Sequence, residues 1–341
     1  MGTAIGELLV REEISLDYLK GRRVGIDSHN ILYQFLSSIR SYDGTPLMDS
    51  HGNVTSHLTG LLYRTVNLLE KDVKPVFVFD GVPSKLKKET LEERKRIRTE
   101  ALARHEEALK AGDLEEARKM GARSVRLTPE MIAEAKKLIE ALGLPLVQAL
   151  DEGEAQIAGM VSRGTLFGCV SQDYDSLLFG ASRVLRNIAV TGKRKMPGRN
   201  LFIDVSPELI ELQKCLETLK IDRRKLVWIG LLIGTDFNEK FPNIGPKKAL
   251  KLVQDNDSFE KIVEATGYTP GFDYREIEEI FLNPKFNEVP LPEFRKPDRE
   301  RVKELLCEQH DFSLERVMNA LDKLEKKTEE KGAQASLSKW F

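Results

Sequence analysis

Residues 22–30, RRVGIDSHN, and 74–81, KPVFVFDG, decide the fold. Each is a short β-branched or aromatic run that closes on an aspartate and hands over to a helical pattern. Similar short apolar runs return at 144–149, LPLVQA, and 166–173, LFGCVSQD, the second again closing on an aspartate. Helical periodicity lies between these runs, at 28–41, 57–71, 84–111, 129–142 and 152–163, with Thr128 as a cap and Pro129 as first helical residue. Alternating β and α segments specify an α/β fold, a mostly parallel central sheet flanked by helices. Beyond Asp204 the pattern turns mainly helical as far as Lys326, and only the last dozen residues read as a free tail.

Composition bounds the alternatives. A chain of 341 residues with 41% hydrophobic and 31% charged residues has enough apolar material for about two domains or one elaborated α/β unit. The longest apolar runs, 76–79 and 228–233, fall far short of the roughly 20 residues of a membrane span. The opening MGTAIGELLVREE has no basic region before an apolar one, and Gly6 breaks the myristoylation pattern. An intracellular location, with no membrane partner, is expected. Cys169, Cys215 and Cys307 form no CxxC pair, so neither a disulfide framework nor a thiolate zinc site is indicated.

The net charge of −1 hides an uneven distribution. No acid occurs between Ser176 and Ile203, a stretch that holds Arg183, Arg186, Lys193, Arg194, Lys195 and Arg199. From Lys85 to Arg126, thirteen Lys or Arg stand against nine Asp or Glu. A basic surface beside a compact acidic centre is what a metal-dependent nuclease requires.

The acids carry the sharpest signal. Asp27, Asp80 and Asp173 each follow an expected strand, and the carboxyl ends of parallel strands are where α/β sheets gather ligands. Glu152 and Glu154 open a helix, Asp175 follows Asp173, and Asp236 lies in GTDFN. Any one of these, taken alone, reads as a helix cap. Seven together repel one another and need cations; hard oxygen donors select Mg²⁺, with Mn²⁺ as the alternative. The DYD pair by itself also suits an aspartyl-phosphate phosphatase, although that chemistry places its pair at the first strand.

In order and spacing, VGIDSHN, DGTPL, TSHLTGLLYR, PVFVFDG, EGEAQ, SQDYDSLLFG, AVTGKRK, GTDFN and NIGPKKAL resemble the flap endonuclease family, across nearly the whole chain. The resemblance implies a helical arch, a helix-turn-helix DNA-binding motif holding K⁺ or another monovalent cation, and a centre of two Mg²⁺. It implies that Asp27, Asp80, Glu152, Glu154, Asp173, Asp175 and Asp236 are the metal carboxylates, the first four binding directly and Asp175 and Asp236 partly through water. Two such ions, about 3.5–4 Å apart, activate a water and stabilise attacking and leaving oxygens in line. The product would carry a 5′-phosphate and a 3′-hydroxyl.

By the same resemblance, Lys87 and Arg94 are the catalytic basic pair at the scissile phosphate. They stand seven residues, two helical turns, apart. Without the resemblance, KLKKETLEERKRIR reads as a solvated helix, and Lys85, Lys88, Lys95 and Arg98 are expected to belong to such a face. Tyr33 resembles a base-stacking platform. Arg40, Lys193 and Arg194 are further DNA-binding candidates. Gly245, Lys247 and Lys248, in FPNIGPKKALKLV, would hold a duplex phosphate without reading bases. Thr55 and Arg316 resemble the positions that hold a short 3′ flap.

The C-terminal QASLSKWF has the spacing of a sliding-clamp-binding peptide in Gln334, Leu337, Trp340 and Phe341, with a tail folded back on its own domain as the alternative. The implied layout is a single nuclease domain over 1–326 and a clamp-binding tail over 327–341. Within the domain lie an N-terminal part to about residue 100, an arch over about 84–128, an internal part over about 129–255 and a helical remainder. The implied function is removal of 5′ flaps from branched DNA, with 5′-3′ exonuclease activity, in Okazaki fragment processing and repair. A monomer partnered by flap DNA and a clamp of the proliferating cell nuclear antigen type, in an archaeal cytoplasm, completes the expectation. The competing readings are a 5′ nuclease cutting bubbles or nicks, a non-catalytic clamp-associated DNA-binding protein and, more remotely, a phosphomonoesterase. Bubble-cutting relatives carry a long spacer between nuclease halves, and none lies between Asp80 and Glu152.

Overall fold

The structure, a computed structural model, describes residues 3–188, 192–195, 202–288 and 290–337. Strands Glu12–Glu13 (β1) and Arg23–Asp27 (β2) lead into helices Ser28–Ser38 (α1) and Ser56–Glu70 (α2), then Lys74–Phe79 (β3). A helical hairpin, Lys88–Ala111 (α3) and Leu114–Arg123 (α4), precedes Pro129–Ala141 (α5), Leu146–Gln148 (β4), Gly153–Ser162 (α6), Cys169–Val170 (β5) and Asp175–Leu178 (α7). Four further strands follow, Arg183–Arg186 (β6), Gly192–Lys195 (β7), Phe202–Val205 (β8) and Glu208–Glu211 (β9). The remainder is helical: Leu212–Leu219 (α8), Arg223–Ile233 (α9), Pro246–Asp255 (α10), Phe259–Thr266 (α11), Tyr274–Leu282 (α12), Arg299–Lys303 (α13) and Leu314–Leu337 (α14).

Seven strands form one sheet in the order β1-β9-β6-β5-β2-β3-β4. The run from β6 to β4 is parallel, and β9 and β1 close one edge antiparallel. Side chains alternate across it with the period of two that a pleat imposes. Val76, Val78, Cys169, Val184 and Ile210 join the core under α6 to α12, while Val24, Ile26, Phe77, Phe79, Val170 and Leu185 join the core under α1, α2, α5 and α14. Burial on both faces explains why β2 and β3 read as continuous apolar runs. Phe77 and Phe79, fully enclosed, each contribute about 1.5–3 kcal/mol of burial free energy.

The expected arch segment forms the hairpin of α3 and α4. Gly112, at φ +73°, makes the turn that ends α3, and Asp113 caps α4 by accepting the Glu116 amide at 3.0 Å. Little of α3 is buried: Ala101, His105 and Ala108 are enclosed beside α4, whose Ala117 and Met120 are buried, while Leu91, Ile97 and Leu102 are exposed. The loop after α1 is fastened by a chain of polar contacts. His310 Nδ1 lies 3.0 Å from Asp49, its Nε2 lies 3.5 Å from Glu134, and Glu134 also meets His57 Nε2 at 3.1 Å.

The basic segment after Ser176 contributes β6 to the main sheet and β7 to a separate hairpin with β8. Helix α14 continues beyond Lys326 to Leu337. Its extension is rich in Glu, Lys, Ala and Gln, all strong helix formers, with Gly332 as the one weak point. Gln334 and Leu337 therefore stand on helical backbone, while Trp340 and Phe341 lie outside the described residues.

Gly81, two residues past the end of β3, has its amide on the Asp151 carbonyl at 2.6 Å, and a side chain there would land on the Leu150 carbonyl. Gly81→Ala must therefore push apart the two segments that carry Asp80 and Glu152. Urea unfolding of this variant is expected to show a loss of about 1–3 kcal/mol.

Candidate metal centre

The strand ends deliver their acids to one place. Asp27 closes β2 and does cap α1, accepting the Asn30 amide at 3.1 Å. Asp80 follows β3, and its Oδ1 accepts the Gly153 amide at 2.8 Å, which ties it to the start of α6. Glu152 sits just before α6 and Glu154 in its first turn, where Ser171 Oγ donates to Glu154 at 3.1 Å. Asp173 Oδ2 accepts from Asn30 Nδ2 at 2.7 Å, and Asp175 opens α7 while accepting the Thr3 amide at 2.7 Å. Asp236, in the loop after α9, reaches the same cluster from the helical remainder of the chain.

Their mutual repulsion is legible in their protonation. Burial raises Asp27 well above the usual carboxylate range, and the charges of Asp80, Asp173 and Glu152 push it further. Burial and then the charges of Asp175, Asp27 and Asp173 do the same to Glu154. Asp175 is pushed up to about 6, by burial first and by Asp236 next. Glu152 is raised by burial, against the opposing pull of Lys87. All seven acids thus share one electrostatic field.

The basic pair stands inside that field. Lys87 Nζ donates to Glu152 at 2.5 Å, lies 3.5 Å from Asp236 and sits 4.8 Å over the Phe237 ring. Burial opposes its charge, but Glu152 and Asp236 outweigh burial and hold it protonated beyond its ordinary range. Arg94, two turns further along α3, hydrogen-bonds Asp236. Among the described residues no three His, Cys, Asp or Glu side chains close on a single point, because several of these acids are held by Lys87, Arg94, Asn30 and the Thr3 amide. The donors are nonetheless all hard oxygens, and two cationic side chains do not bring Asp27, Glu154 and Asp175 back to ordinary acidity. That excess of negative charge fits Mg²⁺ or Mn²⁺.

The other candidates lie outside the cluster of acids. Tyr33 is half-buried on α1 with Arg98 stacked 4.9 Å over its ring, so Arg98 is not on the solvated face expected for it. Arg40 is engaged with the backbone, donating to Leu36 O at 2.8 Å and Gly44 O at 2.6 Å. Thr55 is buried just before α2, and Arg316 is exposed on α14, which packs against α2. Helices α9 and α10 pack against each other across the segment 234–245, with Lys247 and Lys248 exposed. Gly245 precedes α10 with open space where a side chain would stand, while the left-handed turn positions belong to Gly234 and Asn243. Lys193 and Arg194 fall on β7.

Residues that sequence reasoning left unassigned also enter the site. His29 and Asn30 lie inside the VGIDSHN motif, two and three positions after Asp27, and one helical turn brings them to Asp80 and Asp173. Thr3 left no signal, because its contribution is a backbone amide.

Comparison with known proteins agrees with this geometry. The XPG N-terminal domain model matches residues 4–101, and the XPG I-region model matches 143–236. The protein named flap endonuclease 1 in Pyrococcus furiosus is 48% identical over 343 residues, covering all of this chain and 99% of its own length. That of Aeropyrum pernix is 47% identical over 350 residues, covering both chains fully. Among solved structures, flap endonuclease-1 from Methanococcus jannaschii superimposes with a TM-score of 0.77 at 38% identity, over 97% of this chain and all of that one. The catalytic core of Rad2 in complex with a DNA substrate, at 21% identity and a TM-score of 0.69, covers 95% of this chain and all of its own, and shares the fold.

Because Asp175 ionises near pH 6 in the native protein and about two units lower in an unfolded chain, the native state holds more protons between those values, and stability falls as pH rises across them. Asp175→Asn keeps an acceptor for the Thr3 amide without the charge. In EDTA at pH 7 it is expected to be about 1–3 kcal/mol more stable than the wild type, with the gain vanishing below about pH 4. Urea unfolding against pH measures this, and Mg²⁺ is expected to reverse the order at pH 7.

Proposed function

Given that the chain belongs to the flap endonuclease family, the XPG-type structure-specific nucleases, we propose that its seven-carboxylate cleft is the two-metal centre at which 5′ flaps of branched DNA are cut. The enzyme is a metal-dependent hydrolase, and a role in DNA replication and repair fits it. Asp27, Asp80, Glu152, Glu154 and Asp173 hold the ions, with Asp175 and Asp236 completing the acidic wall. Two divalent ions, when bound, supply a nucleophilic hydroxide and neutralise charge on the attacking and leaving oxygens. The observation that carries this reading is the convergence of these acids from three parallel strand ends, two helix starts and the loop after α9, with their carboxyl protons held by burial and mutual repulsion.

The chain's own residues do the remaining work. Lys87 and Arg94 project from α3 and the turn before it into the acidic cleft, where they meet a scissile phosphate and stabilise the charge that builds on it. Asn30 and the Thr3 amide fix the rotamers of Asp173 and Asp175. Tyr33, backed by Arg98, offers an aromatic face to an unpaired base. Lys193 and Arg194 on the β7–β8 hairpin, with Arg40, add contacts to the DNA backbone. The turn before α10, with Lys247, Lys248 and a monovalent cation such as K⁺ at Gly245, grips the duplex. Thr55 and Arg316 receive a short 3′ flap. In this layout residues 1–326 act as one nuclease unit, and Gln334, Leu337, Trp340 and Phe341 dock on a sliding clamp.

Cleavage of an end-labelled double-flap DNA, beside single-stranded, nicked and bubble controls, tests the reading. The expected result is a Mg²⁺-dependent cut at the 5′-flap junction, faster than on any control, and slower by on the order of 10²–10³-fold or more in Asp173→Ala. Binding without a product in the wild type would overturn it. Trp340→Ala with Phe341→Ala is expected to abolish binding to the clamp, read by surface plasmon resonance, and to leave flap cutting without the clamp unchanged.

A further inference from the structure

His29 stands among the carboxylates without an assigned role. It is the second residue of α1, an eleven-residue helix whose N-terminus opens on the acidic cleft. Its ring meets Phe79 edge-on, with centroids 5.8 Å apart and planes at 77°, which fixes its orientation. The backbone amide of Asp80 donates to His29 Nδ1 at 3.2 Å. A nitrogen that accepts from an N–H must present a lone pair, so the ring proton is on Nε2. Nδ1 also lies 3.3 Å from Asp80 Oδ2, a contact that the lone pair leaves without a proton.

Nε2–H is then a donor at the far end of a ring anchored on its other edge. It has no protein partner among the described residues, and the side chain is 22% exposed. The remaining histidines are occupied elsewhere: His51 with Ser50, His57 and His310 with Glu134, and His105 with the Ala117 carbonyl.

We propose that His29, juxtaposed to Asp80 with Nδ1 anchored on the Asp80 amide, donates Nε2–H to a phosphodiester oxygen of the DNA strand bound at the metal centre. This rests on the flap-cutting reading above for the substrate, and on the ring's hydrogen bonds for the donor. His29 is accordingly a catalytic residue in the sense of touching the substrate, while Asn30 and Thr3 act through the carboxylates.

Asparagine and glutamine separate contact from positioning, since an Asn amide overlays Nδ1 and a Gln amide overlays Nε2. The measurements are single-turnover cleavage of the double-flap DNA in Mg²⁺, affinity for the same DNA in Ca²⁺ by fluorescence anisotropy, and Mn²⁺ affinity by electron paramagnetic resonance. His29→Ala is expected to lose about 10–100-fold in single-turnover rate, the worth of a hydrogen bond to a charged group. It is also expected to bind DNA more weakly in Ca²⁺ and to keep its Mn²⁺ affinity. His29→Gln is expected to recover most of the loss, and His29→Asn little of it. Recovery by Asn and not by Gln, or a fall in Mn²⁺ affinity that Asn alone restores, would make His29 a positioning residue for Asp80 and overturn the proposal. So would wild-type rate and DNA affinity in His29→Ala. If the wild type itself fails to cut the flap, the functional reading fails, and the Ca²⁺ affinities of wild type and His29→Ala still decide the phosphate contact.

Discussion

Repulsion among buried carboxylates is the constraint on which the rest of this molecule depends. Each of the three parallel strands β2, β3 and β5 ends close to an acid, and parallel pairing in register brings those ends together whatever the side chains prefer. An antiparallel sheet would send alternate strand ends to opposite edges. The acidic centre is therefore a consequence of topology, and the fold must hold it against its own electrostatics with apolar cores on both faces. Its cost is visible in Asp27, Glu154 and Asp175, all held above the range in which carboxylates usually ionise.

The molecule meets that cost locally as well. Amides of Asn30, Gly153 and Thr3 each donate to one of the acids, and the Asn30 side chain donates to another. These contacts come from α1, α6 and the N-terminal segment, so elements distant in sequence are bound into the centre by single hydrogen bonds. A hydrogen bond to a charged group contributes about 1.5–3 kcal/mol, comparable to the penalty of one raised carboxyl, so losing either side of the balance is felt by the fold as well as by the chemistry.

The sequence made the centre legible because its residues obey short-range rules. Strand residues in β2 and β3 are β-branched or aromatic and buried on both faces, and their aspartates sit one residue from a helix start or a tight turn. Other parts obey longer-range rules. Strands β6 and β9, RVLR and ELIE, bury only their two central residues and flank them with charge, so nothing but their pairing identifies them as strands. Arg98 has the composition of a solvated residue and finds Tyr33 only because α3 returns over α1. His29 was visible within a motif, yet its role depends on which ring nitrogen faces Asp80, a matter of rotamer that no spacing encodes.

The cations of α3 and of the turn before it connect these themes. Lys87 and Arg94 are drawn to Glu152 and Asp236 because the cleft is short of positive charge, not because α3 buries an apolar face that would fix them there; most of that helix is exposed. A helix so held follows its charges. Divalent ions satisfy Glu152 and Asp236 more strongly than an ammonium can, since they carry twice the charge on a smaller radius. A phosphate arriving with them presents oxygens at the same mouth of the cleft. The electrostatic deficit that draws Lys87 and Arg94 onto the acids is thus one that bound divalent cations would relieve, leaving both side chains to seek other anionic oxygens.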